Sequence, residues 1–201
     1  QKRFAANAVY ARTVFGNVSA TVTGRLERNE TQSLLGLPAA TLALPGTSPF
    51  SPFAGEVRVL RYTGTDPLTQ DNRSWSGNGT VALNGDLGRW RWSLNGNYTR
   101  SESESETERG PDVAALQTAI TAGTASPFGD LGALTRITDT ARSVNSNASI
   151  DGLLSGDLFA LPAGEVRTNI RLVGRTIDQT GRSTRAGVFT ERQIGRDAGA
   201  V

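Results

Sequence analysis

The 201-residue chain carries 21 basic and 19 acidic residues for a net charge of +2, is 37% hydrophobic, and contains no Cys, His or Met. That balance gives a nucleic-acid binder no compositional support, and the missing Cys and His remove disulfides, thiol chemistry and the common Ser-His-Asp, Cys-His and His-rich metal constellations. No run of about 20 apolar residues occurs, which excludes a spanning helix but not spanning strands.

In chain order, residues 4–30 predict a hairpin. Val18, Ala20, Val22, Gly24 and Leu26 fall on one face of its second strand, with Asn17, Ser19, Thr21, Thr23, Arg25 and Glu27 on the other. Gly16 and Asn17 suit a tight connection, and Phe4, Ala6, Ala8 and Tyr10 can form the outer face of the first strand.

Residues 31–72 hold Pro38, Pro45, Pro49, Pro52 and Pro67, more than half of the eight prolines, and predict a long loop because proline removes a ladder donor. EVRVLRY at 56–62 reads either as a short strand inside that loop or as a spanning strand.

Residues 73–102 give the most regular hairpin. Trp75, Gly77, Gly79, Val81, Leu83 and Gly85 share a face in its first strand, and Trp90, Trp92, Leu94, Gly96 and Tyr98 share one in its second. All three tryptophans lie here. At about 3.3 Å per residue and a tilt of about 40°, their spacing corresponds to roughly 15–25 Å, close to the separation of two interfacial aromatic girdles. Trp75, Val81, Leu83, Trp90, Trp92, Leu94 and Tyr98 are therefore the candidate lipid-facing and girdle residues, with the 84–89 turn on the periplasmic side. A soluble sandwich core is the competing reading of the same face.

Residues 103–141 form a second long connection. Val113, Leu116, Ala119 and Ile120 are spaced for a short helix behind Pro111 and Asp112, with Gly123 closing it, and its one apolar face is expected to pack on neighbouring loops. Just before it, Glu102, Glu104, Glu106 and Glu108 alternate onto the face of Trp92, Leu94 and Tyr98. They predict a solvated, charge-protected edge or a weak surface site for Ca²⁺ or Mg²⁺ at the outer leaflet, and no other cofactor is implied.

The third hairpin spans 142–178, with GDLFALPAG as its turn. Val144, Ala148, Ile150 and Leu154 are apolar-facing on its first strand, and Val166, Ile170 and Leu172 on its second. A third polar connection is expected at 179–192 and a seventh strand from Gln193. The short turns near 16, 87 and 160 repeat at about seventy residues, and short turns opposite long loops is the asymmetry of an outer-membrane barrel.

LNGDLGRWRWSLNGNYTRSESE, Asp139-Thr140-Ala141-Arg142-Ser143 and SGDLFALPAGEVRTNIRLVG together resemble the β-barrel part of a TonB-dependent receptor of the kind common in sphingomonad-like and caulobacter-like bacteria. SLLGLP at 33–38 and SPF at 51–53 look like the start and apex of one of its external loops. The resemblance implies an all-β fold over 1–201, an antiparallel transmembrane β-barrel segment belonging to a barrel of about 22 strands, in the cell outer membrane. It implies energised uptake of a scarce nutrient through extracellular ligand-binding loops. The implied partners are the remaining barrel strands, a plug domain, outer-membrane lipid and a TonB-type energy-coupling complex. No plug or energy-coupling box is present in these residues, so the chain reads as a fragment or one part of an assembly. On that reading Arg25, Arg89, Arg91, Arg167, Arg171 and Arg175 face the lumen, contacting a plug or an anionic solute, or pairing with a wall carboxylate such as Asp151. A passive porin or autotransporter barrel and a secreted structural or adhesive β-protein are the alternatives.

An enzyme is not expected. Aspartates and glutamates occur mostly singly, and neither GxGxxG nor GxxxxGK[ST] is present.

Overall fold

A computed structural model describes residues 1–200. Seven strands form one antiparallel sheet: β1 (Lys2–Val14), β2 (Val18–Gly36), β5 (Leu68–Leu87), β6 (Trp90–Pro111), β7 (Arg136–Leu161), β8 (Gly164–Arg185) and β9 (Val188–Ala200), in that spatial order. Two shorter strands, β3 (Ala39–Leu44) and β4 (Val57–Tyr62), pair only with each other. The single helix, α1 (Ala114–Thr121), lies between β6 and β7. The longest strand, β7, has 26 residues, which at about 3.3 Å each approaches 85 Å.

Alternation sets the register. Val22 lies opposite Val81, Leu83 opposite Leu94, and Trp92 opposite Leu154. Leu154 in turn lies opposite Ile170, so one face collects the apolar side chains of five neighbouring strands. β1 adds Phe4, Ala6, Ala8 and Tyr10 to this face, since Ala6 is opposite Leu26 and Tyr10 opposite Val22. A one-residue slip in any ladder would send that strand's apolar set to the polar side, which is why the register is well specified.

The turns use the chemistry their geometry needs. Phe15 and Gly16 take φ of 50° and 82° before β2, and Ala186 and Gly187 take 47° and 78° before β9. Successive positive φ values match the right-handed twist of flanking strands.

The buried apolar side chains lie outside the large sheet, apart from Leu68 at its upper end. Ala40, Leu42, Leu44 and Ile120 form the buried cluster, with Val57, Val59, Val113, Leu116, Ala125 and Leu131 packed around it. This small cap is assembled from the two long connections. EVRVLRY thus supplies a cap strand and does not join the large sheet. The helix packs its apolar face on β3, as its spacing predicts.

Several expectations are corrected by this arrangement. The transmembrane β-barrel segment is replaced by two open sheets and one short helix. β1 and β9 each have a single neighbour, and because seven antiparallel strands alternate, these two edges run parallel and cannot join by another antiparallel ladder. Open edges leave backbone donors and acceptors unpaired, which hydrocarbon does not tolerate. The spanning strands, the outer-membrane location, and the partnership with further barrel strands, plug, lipid and energy-coupling complex were expected for a segment of a larger barrel, and are withdrawn because the strands form two open sheets with unpaired edges. No helix among the described residues is long and apolar enough to cross a membrane. GDLFALPAG is mostly strand, leaving only Pro162 and Ala163 as the turn, and 179–192 is strand, turn and strand where a polar loop was expected.

Candidate functional site

Two surfaces, the large sheet and the cap, carry the side chains that matter here. The sheet has an apolar and a polar face. Trp75, Val81, Leu83, Trp90, Trp92, Leu94 and Tyr98 are all brought to the apolar face by the β5–β6 register. Large rings lie over glycines on the neighbouring strand. A Cβ built on Gly156 would come within 2.5 Å of the Trp90 ring, and one on Gly85 within 3.0 Å of Trp92. Glycine is required at 156, where the Trp90 indole occupies the space of a side chain, whereas at 85 a Cβ would make the Trp92 ring give way by a few tenths of an ångström. Nothing packs on top of the face: Tyr10 is 61% exposed, Ile170 49%, Ile150 45% and Val81 43%.

The polar face holds the arginines, and most are paired. Arg25 bonds Glu27 at 3.1 Å through Nε, Arg91 approaches Asp86 at 3.5 Å, and Arg89 approaches Glu165 at 3.6 Å. Arg167 bonds Asp157 at 3.0 Å, and Arg171 donates twice to Asp151, at 2.9 and 2.7 Å. The Asp157 hydrogen bond, reinforced by its charge, raises the pKa of Arg167 above its ordinary value. Arg175 makes no ion pair among the described residues. Arg89, Arg91 and Arg167 line one open cleft beside the 88–89 turn, together with Asp86 and Asp157, whose carboxylates pair with two of them. Arg25, Arg171 and Arg175 are not among its lining residues, so the six do not form one cationic site.

The glutamate run is not a uniform ladder. Glu102 pairs with Arg142 and accepts a 3.3 Å bond from Trp75 Nε1. Glu108 sits beside a register irregularity and accepts from the Thr69 N–H (2.8 Å), the Thr69 hydroxyl (3.1 Å) and Arg136 (2.9 Å). Arg136 also donates to the Asp66 carbonyl, tying the upper ends of β5, β6 and β7 together. The Thr69 amide and then the Arg136 guanidinium hold the Glu108 carboxyl below its usual range. Asp139 is lowered likewise, first by the Ala186 N–H and then by Arg109. Among the described residues no group of three or more His, Cys, Asp or Glu is placed to hold a metal ion.

The second surface is the cap, and sequence reading missed most of its logic. Gln117 on α1 reads both sides of the Ala43 backbone: its Oε1 accepts from Ala43 N–H and its Nε2 donates to Ala43 O, each at 2.9 Å. Arg61 on β4 donates to the carbonyls of Pro127 and Gly129 at 2.6 and 2.7 Å. Three Ser-Pro-Phe units recur, at 48–50, 51–53 and 126–128. In each, the Phe N–H bonds the Ser Oγ two residues earlier, and the Phe ring is left exposed. The signals are visible: Val57 and Val59 lie in the stretch expected as a short strand inside the loop, and Ala40, Leu42 and Leu44 alternate in the same way among the surrounding prolines.

No family model, no curated protein and no solved structure matches the chain. With the barrel absent and no family match, the resemblance to a TonB-dependent receptor is corrected, and nutrient uptake and the passive porin alternative are withdrawn with it. Period-two alternation belongs to any antiparallel sheet with one apolar and one polar side.

Proposed function

We propose that this chain is a non-catalytic structural β-protein that works by self-association through its sheet, with the cap as an ordered end piece. The observation that carries this reading is the unlayered apolar face, which runs across the sheet while the protein's buried cluster lies elsewhere. A contiguous exposed apolar surface of this breadth marks an interaction site in a folded protein, and burying it is worth about 25 cal/mol per Å² before association costs. Glu27, Glu30, Glu108 and Asp139 are held as anions by hydrogen bonds from arginine or backbone N–H groups, which fits carboxylates that fasten neighbouring strands.

Sedimentation of the full chain across a broad concentration range tests the reading. Mass should rise with concentration, and Val81→Lys combined with Ile150→Lys should hold the protein monomeric with an unchanged β-sheet circular-dichroism spectrum. A parent chain that stays monomeric throughout overturns it.

A further inference from the structure

Beyond self-association, we propose that the upper stretch of the large sheet binds a phosphate group, free or as a small monoester, between Arg142 on β7 and Arg182 on β8, with Arg100 on β6 as a third contact. Arg142 and Arg182 are directly opposed in the β7–β8 ladder, and like charges so placed destabilise a sheet. The row they belong to otherwise alternates in sign. From β2 to β9 its successive cross-strand partners are Glu30, Arg73, Glu104, Arg142, Arg182 and Glu191. Only at the β7–β8 step of this row do two cations meet, where the alternation calls for an anion.

The two guanidinium groups reach away from each other. Arg142 pairs with Glu102 on β6, and Arg182 Nε bonds Glu191 on β9 at 3.0 Å. A guanidinium has five N–H donors, so each keeps donors free after one such contact, and Arg100 makes no ion pair among the described residues. All three arginines line one cleft of about 450 Å³, together with Ser146, Thr180 and Asp178. Glu102, Glu104 and Glu191, the carboxylates flanking the opposed pair, are not among its lining residues, so three guanidiniums meet one carboxylate there. Paired N–H forks match the oxygens of a phosphate, and the Ser146 and Thr180 hydroxyls can donate to the oxygens that remain. A cleft of this volume also has room for a small organic carrier beside Asp178.

The cleft beside the 88–89 turn is unsuited to the same ligand. Two of its three arginines are matched by Asp86 and Asp157 inside the cleft itself, so an incoming anion would meet both carboxylates. The charge pattern therefore selects the upper site.

Titration calorimetry and thermal melting of the full chain with inorganic phosphate and with glycerol phosphate, against sodium chloride at matched ionic strength, test the site. Phosphate should bind once per chain and raise the melting temperature. Arg182→Gln and Arg100→Gln should each weaken binding about tenfold or more. Without phosphate, Arg182→Gln should melt no lower than the parent, because the like-charge opposition is gone and the exposed pair it loses with Glu191 is worth little. Equal affinity for the two probes assigns free phosphate as the ligand, and tighter glycerol phosphate assigns a monoester. Shifts that chloride reproduces, parent-like affinity in both variants, or a lower melting temperature for phosphate-free Arg182→Gln each overturn the site and leave the self-association reading standing.

Discussion

Replacing Gly156 by Ala is a small change with a large expected effect, because its space belongs to another residue. The added Cβ would meet three atoms of the Trp90 indole at 2.5, 2.7 and 2.9 Å, so the ring has to leave its place over β7. If about 60 Å² of ring and strand surface is re-exposed, the loss is about 1.5 kcal/mol. A displaced ring held off its rotamer adds about 0.5–1.5 kcal/mol. Against this stands a gain of about 0.4–1 kcal/mol from the stiffer unfolded chain, leaving a net destabilisation of about 1–2.5 kcal/mol. Gly96, also on the apolar face, has nothing within 4 Å of its built Cβ, so Gly96→Ala should show only the gain. Urea unfolding followed by tryptophan emission measures both. The midpoint should fall for Gly156→Ala and hold or rise for Gly96→Ala, and Trp90→Leu should remove most of the difference. Equal midpoints for the two alanine variants would refute ring-over-glycine packing as a determinant of this sheet.

The cap should respond to loss of its centre: Leu42→Ala, at a fully buried position, should cost the cap about 2–5 kcal/mol, read as faster amide exchange over 39–44 and 57–62 with β6 and β7 unaffected. Gln117→Leu, which removes both bonds to the Ala43 backbone, should cost about 1–3 kcal/mol in the same exchange experiment. Acid should loosen the upper end of the sheet. Glu108 and Asp139 have folded pKa values below their ordinary ones of 4.5 and 3.8, so their contribution is complete above the ordinary range and is lost as pH falls through the depressed folded values. Glu108→Gln should flatten that acid limb in a thermal-melting series, and an unchanged limb would show that the Thr69–Glu108–Arg136 contact carries none of it.

Much of the strand layout could be read from period-two patterning, because each strand of the large sheet has one apolar and one polar face. The run from Trp75 to Tyr98 announces its register through the side chains themselves. What alternation cannot carry is the fate of the sheet's edges. Whether β1 meets β9 depends on strand number and curvature, and neither leaves a mark on a single strand. The same patterning also hid the true extent of β8 and β9, since Gln179, Thr180 and Arg182 look like loop residues yet occupy a polar upper stretch of strand. In the cap the difficulty was reversed. Local proline chemistry was legible, but the pairing of 39–44 with 57–62 and their burial by Ile120 are contacts between two connections far apart in the chain. Arginine pairing was partly legible: Asp151 was a named candidate partner, and Arg171 takes it, while the Arg167–Asp157 and Arg89–Glu165 pairs depend on the tight turn at 162–163.

The ladder order has a consequence for how stability is distributed. Each strand of the large sheet touches only the strand before and after it in that sheet, with one half of the cap inserted between β2 and β5 and the helix-bearing half between β6 and β7. Outside the cap, which ties the two connections together, the large sheet behaves as a one-dimensional series in which cohesion is a sum over adjacent couples. Shortening it from either side would trim the row without dissolving what remains, and ordering could begin at any of the tight hairpins and spread outward. The innermost strand, β6, would be the last to let go.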